Sequence, residues 1–168
     1  MNVKIIIAAV VALLGIGAIG YVVTNSSEEK SPETHIQDRL KTPELIPELS
    51  WRTLYEYDYQ NNEGPEELMS MDGELVKIPG YIVPLSSDYS KLEEFLLVPD
   101  GQSCIHVPPP PPNLIVTVNL REPVPMDEVG NPSWIYGIFK VEESHSVHGG
   151  SSFRLDGVKV EEFVFEGY

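Results

Sequence analysis

Leu75-Val76-Lys77-Ile78-Pro79-Gly80-Tyr81-Ile82-Val83 is the stretch that decides the fold. β-branched and aromatic residues dominate it, a composition that suits a pleated, half-buried surface. Pro79 removes a ladder donor and Gly80 brings no side chain, so the strand is expected to bend or bulge there. Met71-Asp72-Gly73-Glu74, just before it, reads as a turn.

Downstream, the same kind of signal recurs at short intervals. Glu94 to Val98 reads as a buried strand closed by Pro99-Asp100-Gly101, and Ser103 to Val107 as a short strand. Leu114 to Leu120 and Ser133 to Val141 follow as two more. Phe153 to Leu155, a turn at Asp156-Gly157, and Val158 to Phe165 form a closing pair. Short strands cut by Gly, Pro and Asp turns indicate a mainly β fold: a small OB-like antiparallel barrel of five or six strands. Upstream, Trp51 to Tyr59 alternates aromatic with polar residues and is expected to be a strand or extended edge. Pro65 to Met71 carries Pro first and acids early, the pattern of one short helix. No internal repeat is present.

The N-terminal end differs in kind. After Lys4, residues 5 to 23 are apolar without a charge. At roughly 1.5 Å per residue a helix of that length crosses a hydrocarbon core of roughly 30 Å. Lys4 before the run and Glu28-Glu29 after it put the N-terminus in the cytoplasm and the rest outside. The expectation is a single N-terminal transmembrane helix in the inner membrane with a periplasmic domain. Ala18-Ile19-Gly20 leaves signal cleavage as the alternative, which also exports the domain. Three segments result: an anchor or signal sequence over 1–24, an acidic and proline-bearing tether over 25–47, and a β-rich extracytoplasmic domain over 48–168.

The formal net charge is −15, and of the acidic residues only Glu28 and Glu29 precede residue 31. Such a domain repels phosphate backbones, so nucleic acid is excluded as a partner class, and cations or basic protein surfaces are favoured. Acidity also serves plain solubility. Cys104 is the single cysteine, so no intramolecular disulfide holds the fold.

The chemistry-bearing stretch is Cys104-Ile105-His106-Val107, followed by Pro108, Pro109, Pro110, Pro111, Pro112 and Asn113. On a strand, residues two apart share a face, so Cys104 and His106 would point together. Five successive prolines form a stiff polyproline II rod that can hold them in one pose. Three readings stay open. Cys104 and His106 are ligands of a soft or borderline metal such as zinc or copper, joined by His145 and His148 from the His145-Ser146-Val147-His148-Gly149-Gly150 loop or by an acidic side chain. Alternatively, Cys104 is a nucleophile with a histidine base. In the third, Cys104 is a small buried hydrophobe and the block is structural. Adjacent acids such as Glu142-Glu143 face opposite ways on a strand and read as solvated surface. No phosphate loop, dinucleotide fingerprint or HExxH motif is present.

From about residue 48 to the end, the Leu75–Leu85 strand, Glu94-Phe95-Leu96-Leu97-Val98-Pro99 and the Cys-x-His-x-proline-run-Asn block resemble the proteobacterial family called domain of unknown function 3299. The resemblance implies an exported or lipoprotein-like protein, without an established activity. It also implies an envelope setting beside ABC-type transporters with a link to zinc. Where many relatives carry Gln after the Asn, this chain has Leu114. The resulting expectation is a membrane-anchored periplasmic accessory protein that binds zinc in support of an envelope transporter. The rival is a non-metal OB-like module that binds a partner protein.

Overall fold

The computed structural model describes residues 32–86, 90–101, 110–146 and 149–164. The chain divides after Lys41 into two compact units. The first contributes helix α1, Pro32–Arg39. Pro32 opens it, Glu33 sits in its first turn and Arg39 in its last, which is the order that the helix dipole favours. The stretch read as a tether therefore carries a helix. The apolar run 5–23, expected to span a membrane, lies outside the described residues. Among those described, no helix is long and apolar enough to cross one.

The second unit begins as chain stitched to a strand. Leu49 N–H donates to Lys77 O at 2.9 Å, and Lys77 N–H to Pro47 O at 2.9 Å. Ile46 and Leu49 are buried. Next comes helix α2, Trp51–Tyr55, where a strand is expected from the aromatic alternation. Ser50 caps it, its hydroxyl accepting from Thr53 N–H at 3.2 Å. Trp51 and Leu54 then fall on one helical side, with Leu54 fully buried. The cap and the three-residue spacing outweigh the alternation of Tyr55, Tyr57 and Tyr59. Helix α3, Glu66–Ser70, follows Pro65 as expected, and Leu68 anchors it in the core.

Five strands close the barrel: β1 Leu75–Pro84, β2 Lys91–Val98, β3 Val116–Pro125, β4 Ser133–Ser146 and β5 Gly149–Glu162. Their order around the ring is β1-β2-β3-β5-β4. The expected barrel was antiparallel throughout; the β3–β5 seam is parallel, from Val116↔Phe153 to Leu120↔Gly157. The reason is parity. Strand direction cannot alternate all the way round a closed ring of five, so one neighbouring pair must run the same way.

β1 bends as its sequence predicts. Leu75 to Gly80 pair with β4, and Tyr81 to Pro84 pair with β2. At the bend a Cβ on Gly80 would stand 2.8 Å from Val98 O, so the two backbones approach as only glycine allows. Val76, Ile78 and Ile82 point inward to meet Phe95, Leu97, Val116, Val118, Phe139, Phe153 and Leu155. Burying each such side chain contributes roughly 1.5–3 kcal/mol. Leu96 and Val98 face the other side of β2 and pack with Ile115 in a second, smaller cluster.

Two further expectations change. β3 starts at Val116 because Pro112–Leu114 coil into a 3-10 turn. The expected turn at Asp156-Gly157 is a bulge inside one continuous strand. β5 pairs Gly137↔Gly157 and Tyr136↔Lys159, which leaves Val158 as the extra residue. The expected strand at Ser103–Val107 lies outside the described residues.

Candidate functional site

One rim of the barrel gathers the segments that carry polar chemistry. β2 ends there at Val98 and β3 starts there, since Leu97 pairs with Val116. β5 runs parallel to β3, so its first residues, Gly149 to Ser152, extend past Val116 on the same side. The β4–β5 hairpin thus projects from this rim, with His145 opposite Gly150 in its ladder. Strand continuity therefore brings the chain ends flanking the Cys104 block and the hairpin bearing His145 to one end of the molecule. Cys104, His106, His148, Pro108 and Pro109 lie outside the described residues, as does the side chain of His145. Among the described residues no group of three or more His, Cys, Asp or Glu is placed to hold a metal ion.

The described end of the proline block is firmly seated. Pro111 has φ −63° and ψ 152°, the polyproline II region, and Pro112 begins the 3-10 turn. Asn113 is buried, and its amide donates to Tyr55 O at 2.9 Å and Tyr57 O at 3.0 Å. These two carbonyls lie at and beyond the end of α2, where a helix leaves acceptors unsatisfied. Asn113 therefore ties the loop before β3 to the end of α2. Its Oδ1 is buried without a hydrogen-bond partner among the described residues, and so is Ser152 Oγ. Nearby, Thr117 Oγ1 and Ser151 Oγ share a buried hydrogen bond of 2.6 Å across the parallel seam.

Two pockets flank α2. Near its start, Trp51, Pro79, Gly80, Tyr81, Pro132 and Phe163 line one of about 280 Å³ together with Pro99. In its wall Trp51 Nε1–H donates to Pro79 O, and beside it on β1 Ile82 N–H donates to Asn131 Oδ1 at 3.1 Å. Trp134 packs on Phe163 at 5.0 Å, with Lys77 Nζ 4.9 Å above the indole. Beyond the end of α2, Tyr57, Asn62, Met69, Asp72, Val141 and Glu143 line a second pocket of about 360 Å³. Tyr57 is set by its ring, 5.1 Å from that of Phe153, and by its hydroxyl, which donates to Asn62 Oδ1 at 3.3 Å. Burial raises the Tyr57 phenol above its ordinary 10.0, and the carboxylates of Glu143 and Asp58 add to the rise. Asp72 Oδ1 accepts from Val141 N–H at 3.0 Å, which joins the turn before β1 to β4.

The barrel wall carries its own charged pairs. Burial works to raise Asp156, but hydrogen bonds from Arg154 and Lys140 outweigh it and hold the carboxyl below its ordinary value. On the same strand Glu161 accepts from Tyr136 Oη at 2.8 Å and from Lys159 at 3.1 Å, which lowers its carboxyl. Burial and that hydrogen bond raise the Tyr136 phenol. Sequence reading passed over Asp72 as part of a turn and over Glu143 as solvated surface. The available signal was the absence of any Lys or Arg between Thr53 and Val76, a stretch with seven acids.

The architecture defines a closed five-stranded β-barrel accompanied by short helices, a class shared by many binding modules. A family model for proteins of unknown function, DUF3299, matches residues 23–162, and the chain belongs to that family. A crystal structure of a DUF3299 family protein from Pseudomonas aeruginosa PAO1 is similar at 35% identity and a TM-score of 0.58. The match covers 73% of this chain and 99% of that one. Comparison with curated proteins finds no match.

Proposed function

We propose that the chain is a membrane-anchored periplasmic accessory protein that binds a transition metal, zinc by its donor types, in support of an envelope ABC-type transporter. Cys104 and His106 supply the primary ligands, and His145 and His148 complete the set. One thiolate with imidazoles fits the tetrahedral nitrogen and sulfur preference of zinc. The observation that carries the reading is the shared rim: the strands bounding the Cys104 segment and the hairpin bearing His145 end on the same side of the barrel. The apolar run 5–23 and the acidity beyond it support anchoring and export. Calorimetric titration of the full chain with zinc tests the site. Saturable binding that disappears in Cys104→Ala/His106→Ala supports it, and binding that persists unchanged in that variant ends it.

A second reading rests on a different observation. The closed strand order β1-β2-β3-β5-β4 with its parallel seam supports an OB-like reading, and Asn113 serves α2 structurally. On this reading the proline block is a brace and the barrel is a scaffold for a partner protein. Negligible labelling of Cys104 by a thiol reagent in the folded chain would favour it, since a thiolate ligand or nucleophile reacts faster than a sealed thiol.

A further inference from the structure

The pocket at the start of α2 has walls that the metal reading does not use. Trp51, Tyr81 and Phe163 give it three aromatic rings, and Pro79, Pro99 and Pro132 give it three proline rings. All three aromatic side chains are only half-buried, so ring surface stays open. The rings are held in place. Trp51 Nε1–H donates to Pro79 O, and Phe163 packs on Trp134 at 5.0 Å. Gly101 lies against the Tyr81 ring, where a Cβ would stand 3.0 Å from Cδ1 and Cε1. The lining side chains include no carboxylate, amide or amine, and offer an N–H donor a single acceptor, the Tyr81 hydroxyl. Aromatic faces, by contrast, attract a cation without any hydrogen bond.

The charge around the pocket agrees. The chain carries −15, and acids stand in the segments that bracket the site: Asp100 follows Pro99, and Glu162 precedes Phe163. The stem of Glu162 lies beside Gly130, in the loop that carries Pro132; a Cβ on Gly130 would stand 2.6 Å from Glu162 Cγ. Lys77 sits over Trp134, a ring outside the lining, and is close enough to Glu161 to help lower that carboxyl. At about 280 Å³ the space suits a small ligand.

We propose that this pocket binds a quaternary ammonium group, as carried by choline and its derivatives. Its methyl groups spread the positive charge onto the rings, and it has no N–H to leave unsatisfied. Charge complementarity selects it over a proline or an alkyl chain, which the same walls would cover but the acidic chain would not attract.

The test is calorimetric titration of the full chain, kept in a sugar-headed detergent, with choline chloride against equal sodium chloride. Saturable binding is expected. The uncharged isostere of choline, with carbon in place of nitrogen, should bind about tenfold more weakly. Phe163→Leu keeps apolar volume but removes a ring, and should weaken choline about tenfold, whereas Phe163→Tyr should hold it within about twofold. If Phe163→Leu melts early, Tyr81→Leu carries the comparison. Glycerophosphocholine binding tighter than choline would support a lipid headgroup as the source, and the reverse a free solute. Equal binding of the isostere would overturn the proposal in favour of plain apolar burial. Choline affinity unchanged by loss of a ring would overturn it too, as would absence of binding by both choline and glycerophosphocholine.

Discussion

The two pockets beside α2 are built from neighbouring stretches of chain and yet have opposite character. The one near Trp51 is walled by prolines and aromatic rings, with the Trp51 indole N–H tied to Pro79 O. The one near Tyr57 keeps two carboxylates at its edge. A net charge of −15 therefore says nothing about where the field lies. The barrel sorts it: prolines and aromatic rings from β1 and the loops around Pro99 and Pro132 line one pocket without a carboxylate, while the turn before β1 and the end of β4 bring Asp72 and Glu143 together. The contrast has a built-in reporter, because both tryptophans stand on the aromatic side, Trp51 lining that pocket and Trp134 packed on Phe163 beneath Lys77 Nζ.

The hardest blow to the contrast is Phe153→Ala. Phe153 is fully buried and supports Tyr57 at 5.1 Å and Phe139 at 5.5 Å. Its loss should cost about 3–5 kcal/mol in denaturant unfolding and loosen the acidic pocket. Tryptophan emission of the remaining folded protein should stay unchanged, and a shifted emission would mean that the two sides are one packing unit.

Asn113→Ala comes next. It strips the Tyr55 and Tyr57 carbonyls of their donor, and about 2 kcal/mol of stability should go with it. Hydrogen exchange should rise first over residues 51–57. An unchanged melting curve would show that the amide is not a brace.

Gly80→Ala acts on the other pocket. The added methyl meets Val98 O at 2.8 Å and Leu97 at 2.9 Å, so the β1–β2 backbones must part at a cost of about 1.5 kcal/mol. Here tryptophan emission should shift, the reverse of the unchanged emission expected for Phe153→Ala.

The smallest effect concerns pH. Asp156 is held below its ordinary 3.8 in the folded chain, so its contribution is present above about pH 4 and is lost as pH falls through the folded value. Asp156→Asn should therefore cost a few tenths of a kcal/mol near neutrality. The difference from wild type should vanish in acid, and a difference that persists there would point to packing rather than charge.

Much of the barrel was legible from local pattern. The bend at Pro79-Gly80, the buried run ending at Val98 and the strand around Trp134 each follow from residues next to one another. The helix at Trp51 was hidden because Tyr55, Tyr57 and Tyr59 mimic strand alternation, and its decisive signal, the Ser50 cap, is a single hydroxyl. Asp156-Gly157 reads as a turn, yet barrel closure makes it a bulge, since β5 must keep pace with β3 on one side and β4 on the other. Of the candidate ligands, the sequence placed Cys104 beside His106, and strand pairing alone set the His145 hairpin on the rim where that segment begins and ends.

By itself, then, the order of residues determined what depends on neighbours: strand content, one proline-led helix, an acidic surface and a lone thiol. Tertiary structure decided what depends on residues far apart, because strand order, the parallel seam and the meeting of Asp72 with Glu143 are consequences of closing a ring. Ring closure is a global constraint, and no window of adjacent side chains contains it.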